Sequence, residues 1–180
     1  MSSVDHRHES CADKPLHILT ARLEQGVHQS LRVELPLVVR LAEEVLPAEL
    51  RRHPDLLPQL HLAVCLLRDA VTSHFDREEA LLFPSLRLIE DGAGAWALDL
   101  HRLVPELMRE QAQIQDLLAQ LRLMTHDFVA PASAPMLRTL FASLRGVTHD
   151  LEARFRLERD SLYPQALSIQ RPRHVTWREV

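Results

Sequence analysis

The chain has 180 residues, 46% of them apolar but only 4% aromatic, with 4 glycines and a formal charge of −4. That length buries a core without disulfides or a structural metal, and the Leu- and Ala-rich, Gly-poor balance favours an all-helical protein. No block of like charge stands behind the net value, which argues against nucleic acid as a partner. No apolar run reaches membrane-spanning length and no signal-peptide core opens the chain, so a soluble cytoplasmic protein is expected.

In chain order, residues 1–13 are polar and aperiodic and are expected to form a tail; His6, His8 and Cys11 fall there. A single four-helix domain follows over 14–167, and 168–180 form a second tail, docked through Trp177 if at all. Three interruptions divide the domain: Leu46-Pro47 to His53-Pro54, Glu90-Asp91-Gly92-Ala93-Gly94, and Pro131-Ala132-Ser133-Ala134-Pro135. They predict helices at 15–46, 55–89, 95–127 and 135–166. Asp13 and Ser133 are expected to cap helices that start at Pro15 and Pro135, and Pro105 to kink or break the third helix. Short connections make neighbours antiparallel, an up-down-up-down bundle.

Each predicted helix carries a seam at steps of three and four. The seams run His28, Leu31, Leu35, Val38, Ala42, Val45; Leu60, Leu67, Val71, His74, Glu78, Leu81; Val104, Leu107, Gln111, Ile114, Leu118, Leu121; and Leu137, Leu140, Leu144, Val147, Leu151, Arg154, Glu158. At about 1.5 Å rise per residue, His28 and His74 both stand roughly 27 Å from their shared turn, and Gln111, Arg154 and Glu158 fall at similar heights. Polar residues on four helices therefore meet in one layer. Burying them costs several kcal/mol per charge unless they are paired or coordinate a metal, so the layer is either a metal site or a self-satisfied network. His74 and Glu78, four apart on one helix face, can supply two ligands for iron, zinc or manganese.

A repeat sharpens the choice. His74-Phe75-Asp76-Arg77-Glu78, closed by Leu82-Phe83-Pro84, recurs as Arg154-Phe155-Arg156-Leu157-Glu158, closed by Leu162-Tyr163-Pro164. Where the first copy has His the second has Arg, which offers donors but no lone pair to a metal. The His-x-x-x-Glu with Leu-Phe-Pro, the closing Glu158 to Pro164 stretch, and His28 followed by Leu31-Arg32 and Glu34-Leu35-Pro36 together resemble the hemerythrin-like (HHE cation-binding) domain, in its branch related to iron-centre repair proteins. The resemblance covers about Leu16 to Leu167 and implies a bundle built to hold two irons bridged by two carboxylates.

Carried over by position, His28 and His74 look like ligands of one iron, and Glu78 and Glu158 like the bridging carboxylates. The third helix matches through Met108 and Glu110, but Gln111 stands where a histidine is expected, Gln115 replaces a further ligand position, and Arg154 replaces the fourth-helix histidine. One metal keeps its ligands and the other loses its histidines. The resemblance thus implies a reduced site with one non-haem iron, handling iron, oxygen or nitric oxide, with such a small diatomic molecule as ligand. The alternative is a metal-free interaction protein whose layer is an Arg154–Glu78–Glu158 network, Arg154 bridging both carboxylates through its planar fork and a protonated histidine balancing the remaining charge.

The other histidines read as structural or solvated: His17 at a bundle end, His53 in the first turn, and His61, His101, His126, His149 and His174 off the seams. Haem held by several of them stays open. Cys65 reads as a buried free thiol. No nucleophile–base pair, glycine-rich phosphate loop or Cys-x-x-Cys is present, so no catalytic residue is assigned. The oligomeric state is left open.

Overall fold

The computed structural model describes residues 16–93 and 98–169. The expected tail 1–13, the Asp13 cap before Pro15, His174 and Trp177 lie outside these. The described chain folds into four helical rods. The first comprises α1 (Leu16–Arg22), a π-helical stretch (Leu23–His28) and α2 (Gln29–Glu49). The second comprises α3 (Leu56–Arg77), a π stretch (Glu78–Leu82) and α4 (Phe83–Glu90). The third is α5 (Leu100–Met124), and the fourth joins α6 (Pro135–Leu157), a π stretch (Glu158–Leu162) and α7 (Tyr163–Ile169), two residues past the expected limit at 167. Among the described residues there is no strand, and no helix is long and apolar enough to cross a membrane. The fold is an all-α four-helix bundle in which α2 packs on α3 and α6, and α3 on α5.

Local chemistry explains the rod ends. Gly92 takes φ +77°, which only glycine adopts freely; its N–H donates to Ile89 and the Ala93 N–H to Leu88, sealing the end of α4. Asp99 caps α5 by accepting from the His101 N–H at 3.0 Å. Ser133 does not cap α6: the cap position belongs to Ala134, directly before Pro135, and no side chain bonds there. Pro105 does not break α5, which runs unbroken to Met124. It sits in the second turn, where its missing N–H removes one backbone bond near the helix start.

The π stretches of the second and fourth rods follow from the repeat. A proline ring presses on the carbonyl four residues back, here Ala80 for Pro84 and Asp160 for Pro164. The helix widens just ahead of each proline, so that the Phe83 N–H reaches back five residues to the Glu78 carbonyl and the Tyr163 N–H to that of Glu158. The inserted residue shifts the face: Leu81, expected on the seam, is half-buried, and Leu82 is fully buried in its place.

The apolar core divides in two. The larger cluster runs from Leu31 to Val45 on α2, across α3, and along Leu137 to Phe155 on α6. The smaller joins Leu16, Leu19 and Leu23 to Phe83, Leu86, Leu103, Leu107 and Tyr163 at the other end. Between them lies the polar layer. The remaining histidines fall outside it: His101, His126 and His149 are exposed and His53 and His61 half-buried. His17 is exposed and donates to Glu90, whose carboxylate also accepts from the Leu16 and His17 backbone N–H groups and ties two rod ends together. Cys65 is free but half-buried rather than buried, its sulfur 3.7 Å from His61 Nε2.

Candidate metal centre

His28, His74, Glu78, Gln111, Arg154 and Glu158 are all buried in the layer. His28 closes the first π stretch, and Glu78 and Glu158 open the other two, so each wide turn delivers a polar side chain to the same height. Gln115 does not join them. It is exposed and lines a groove between the third and fourth rods with Arg122, Glu152 and Arg156.

The two histidines share one arrangement. His28 Nδ1 donates to Glu79 Oε1 at 2.5 Å, and His74 Nδ1 to Glu110 Oε2 at 3.0 Å. An ionised carboxylate only accepts, so the proton resides on Nδ1 and a neutral ring keeps its lone pair on Nε2. Both Nε2 atoms are buried and without a hydrogen-bond partner. They flank Glu78, His28 Nε2 lying 3.4 Å from Oε2 and His74 Nε2 3.7 Å from Oε1. These distances are long for hydrogen bonds. The 3.4 Å separation of His28 Nε2 from Glu78 Oε2 suits two ligands of one ion, since two ligand atoms each about 2.1 Å from a tetrahedral ion are about 3.4 Å apart. His28, Glu78 and Glu158 also offer ligand atoms within 4.8 Å of one another, a trio that omits His74. His28 and Glu78 are common to both groupings. The trio His28, Glu78 and Glu158 has the spacing and donor chemistry for one cation, and His74 Nε2 stands outside that spacing, beside the other oxygen of Glu78.

Arginine clamps hold the outer carboxylates. Arg32 Nη2 bonds Glu79 at 3.1 Å and Asp76 at 2.6 Å, while Arg77 bonds Glu110 through Nη1 and Glu106 at 2.8 Å through Nη2. Each imidazole is thus fixed by a Glu–Arg–acid chain that runs outward between rods. His28 also stacks on Phe75 with ring centroids 4.0 Å apart, and His74 meets Phe155 edge-on at 5.8 Å.

The other half of the layer is a circuit of hydrogen bonds and ion pairs among Arg154, Glu78, Glu158, Gln111 and Tyr163. Arg154 Nη2 hydrogen-bonds Glu78 Oε2 and lies 2.5 Å from Glu158 Oε1. Gln111 Nε2 donates to Glu158 Oε2 at 2.5 Å and to the Tyr163 hydroxyl at 2.7 Å, and that hydroxyl donates to Glu78 Oε1 at 3.2 Å. A single nitrogen of Arg154 meets both carboxylates, in place of the expected two-pronged fork. Nε and Nη1 have no hydrogen-bond partner, and the guanidinium carbon lies 4.3 Å from the centroid of Phe75, a cation–π contact.

Electrostatics separates the two glutamates. Burial pushes the Glu78 carboxyl up, but Arg154, then His28 and His74, outweigh it and hold it at about 2. Burial pushes Glu158 well above the usual carboxylate range; Arg154 opposes that shift and the Glu78 charge adds to it. Burial and both carboxylates likewise raise the Tyr163 phenol, which stays a neutral donor. With Glu78 ionised, Arg154 positive and Glu158 drawn toward its neutral form, the layer balances without the protonated histidine expected from its formal charges.

A family model described as the hemerythrin HHE cation binding domain matches residues 22–166. The chain belongs to this family. It is 30% identical over 169 residues to the iron-sulfur cluster repair protein YtfE of Edwardsiella ictaluri (strain 93-146), covering 93% of this chain and 73% of that protein. It is 28% identical to YtfE of Dickeya chrysanthemi (strain Ech1591), over 91% of this chain and 69% of the relative. The iron-sulfur cluster repair protein DnrN of Neisseria gonorrhoeae is also 28% identical, with 79% and 86% covered.

Within this hemerythrin-type bundle, sequence reasoning missed the layer role of Tyr163 and the clamps at Glu79 and Glu110. Tyr163 carried a signal. It aligns with Phe83 in the repeat, and a hydroxyl added at a buried apolar position needs a partner. Glu79 carried none, and Glu110 stood only as a matched position on the third helix, because the partners that give each its role lie on other rods.

Proposed function

We propose that this hemerythrin-type domain binds a single non-haem iron ion through His28, His74 and Glu78, with Glu158 beside them, and serves in iron, oxygen or nitric oxide handling. The observation that carries the reading is the pair of buried, unpartnered Nε2 atoms whose opposite ring nitrogens are bonded to carboxylates. Such outer partners orient a ligating imidazole and raise its basicity. Iron rather than zinc or manganese is supported by the relatives, which are named for iron–sulfur cluster repair. A ferrous ion held there by two imidazoles and a carboxylate would keep positions open to oxygen or nitric oxide.

The residues on the Glu158 side limit the site to one ion. Gln111 presents an N–H to Glu158 and Arg154 one to both glutamates, and Arg154 brings a fixed positive charge where a second cation would be needed. The same circuit favours a second reading, a metal-free interaction protein in which Arg154 alone balances the layer. Metal analysis after gel filtration of protein produced with iron supplied separates the two. About one iron per chain, with an EPR-detected ferrous nitrosyl on adding nitric oxide, is the expected result; no retained metal supports the second reading, and two ions per chain refute both.

A further inference from the structure

Glu78 is shared by the two halves of the layer. Its Oε2 lies 3.4 Å from His28 Nε2 on one side and accepts a hydrogen bond from Arg154 on the other. The side chains of Arg154, Glu78 and Glu158 are entirely buried, and the guanidinium is held by both carboxylates and the face of Phe75. An arginine does not lose its proton within the pH range of a folded protein, and a buried pair is only weakly screened by salt. An ion held by Glu78 is therefore next to a permanent positive charge. Repulsion between that charge and the ion grows with the charge of the ion, so it acts more strongly on ferric than on ferrous iron.

We infer that Arg154 poises the iron of this site toward the ferrous state, acting as a positioning charge through Glu78. The inference rests on the proposed iron site. The couple is a one-electron change: ferric iron accepts one electron from an external reductant, no bond of the protein forms or breaks, and the charge change falls on the ion. Coulomb's law for a unit charge at contact distance, between the screening of bulk water and that of a protein interior, corresponds to about tenfold to about a thousandfold in the ratio of ferrous to ferric affinity. This poise suits a ferrous centre that meets nitric oxide or oxygen reversibly.

The test is a spectroelectrochemical titration of iron-loaded protein with the metal content of each sample measured in parallel. Arg154→Met removes the charge, and Arg154→Gln removes it while keeping a hydrogen-bond donor in case the methionine variant does not fold. Arg154→Lys keeps the charge. Both neutral variants are expected to titrate at a more negative potential than the native protein, with the ferric-to-ferrous affinity ratio raised at least about tenfold, and the lysine variant to stay close to native. An unchanged potential in a neutral variant that still holds one iron overturns this inference and leaves the iron site standing. Absence of iron from the native protein overturns both.

Discussion

Replacing Arg154 with methionine in metal-free protein removes the main opposing charge of Glu78 and leaves that carboxylate buried, with the Tyr163 hydroxyl at 3.2 Å as its remaining hydrogen-bond donor. Breaking a buried ion pair from one side costs about 3–5 kcal/mol. Proton uptake gives an independent figure. In the native protein Glu78 titrates at about 2 against an unperturbed 4.5, so its stabilising contribution is complete above 4.5 and is lost as pH falls from there toward 2. Without the arginine, burial dominates and the carboxyl stays protonated in the fold, so stability is lost as pH rises above the unfolded value. At about 1.4 kcal/mol per pH unit, the variant loses roughly 3 kcal/mol between pH 4.5 and 7. The two routes agree. Urea unfolding of chelator-treated protein followed by circular dichroism should give a native-minus-variant difference of about 3–5 kcal/mol at pH 7 that narrows by about 3 kcal/mol on going to pH 5. In melting temperature the pH 7 difference corresponds to roughly 6–20 °C for a domain of this size. A difference below about 1 kcal/mol at pH 7, typical of surface pairs, or one independent of pH, would refute the buried Arg154–Glu78 pairing as a source of stability.

Glu79→Gln and Glu110→Gln should each weaken iron binding by about 10–100-fold, read by competition with a chromophoric chelator; unchanged affinity in both would show that the outer carboxylates do not orient the imidazoles. Tyr163→Phe, a shape already accommodated at Phe83 in the first copy of the repeat, should cost about 1–3 kcal/mol in urea unfolding, because Glu78 loses a donor and Gln111 an acceptor; a neutral result would remove the phenol from the circuit. The paired substitution Gln111→His with Arg154→His should raise the metal content from one ion to two per chain. A chain that still takes one ion would show that these positions are not the altered half of the site.

Much of the layer was readable because it rests on quantities that sequence carries. Helix rise puts His28 and His74 level about a turn that Pro47 and Pro54 bracket, and the seams at steps of three and four place Gln111, Arg154 and Glu158 on inward faces. All are buried in one layer. The same periodicity fails after Glu78, where a uniform repeat selects Leu81 and the π stretch ahead of Pro84 turns Leu82 inward instead. Gln115 was misplaced for a related reason. One turn beyond Gln111, it lies at the edge of the inward arc, on the flank where the third and fourth rods leave a groove, and only the rod spacing decides which side of that edge is wet.

The clamps were hidden at a different level. Glu79 and Glu110 are about a quarter exposed and read locally as solvated acids, and their significance exists only once Arg32 and Arg77 reach them across rods. Arg154 combines both kinds of information. Its chemistry was legible from the repeat, since guanidinium offers no lone pair. Its use of one nitrogen rather than a fork goes with where Gln111 and Tyr163 stand, because they supply the donors for one oxygen each of Glu158 and Glu78 and leave the other two oxygens to share Arg154 Nη2. The altered half of the layer is consequently filled rather than vacant. Tethered N–H and O–H donors serve both glutamates there, and Gln111 and Arg154 both act on Glu158.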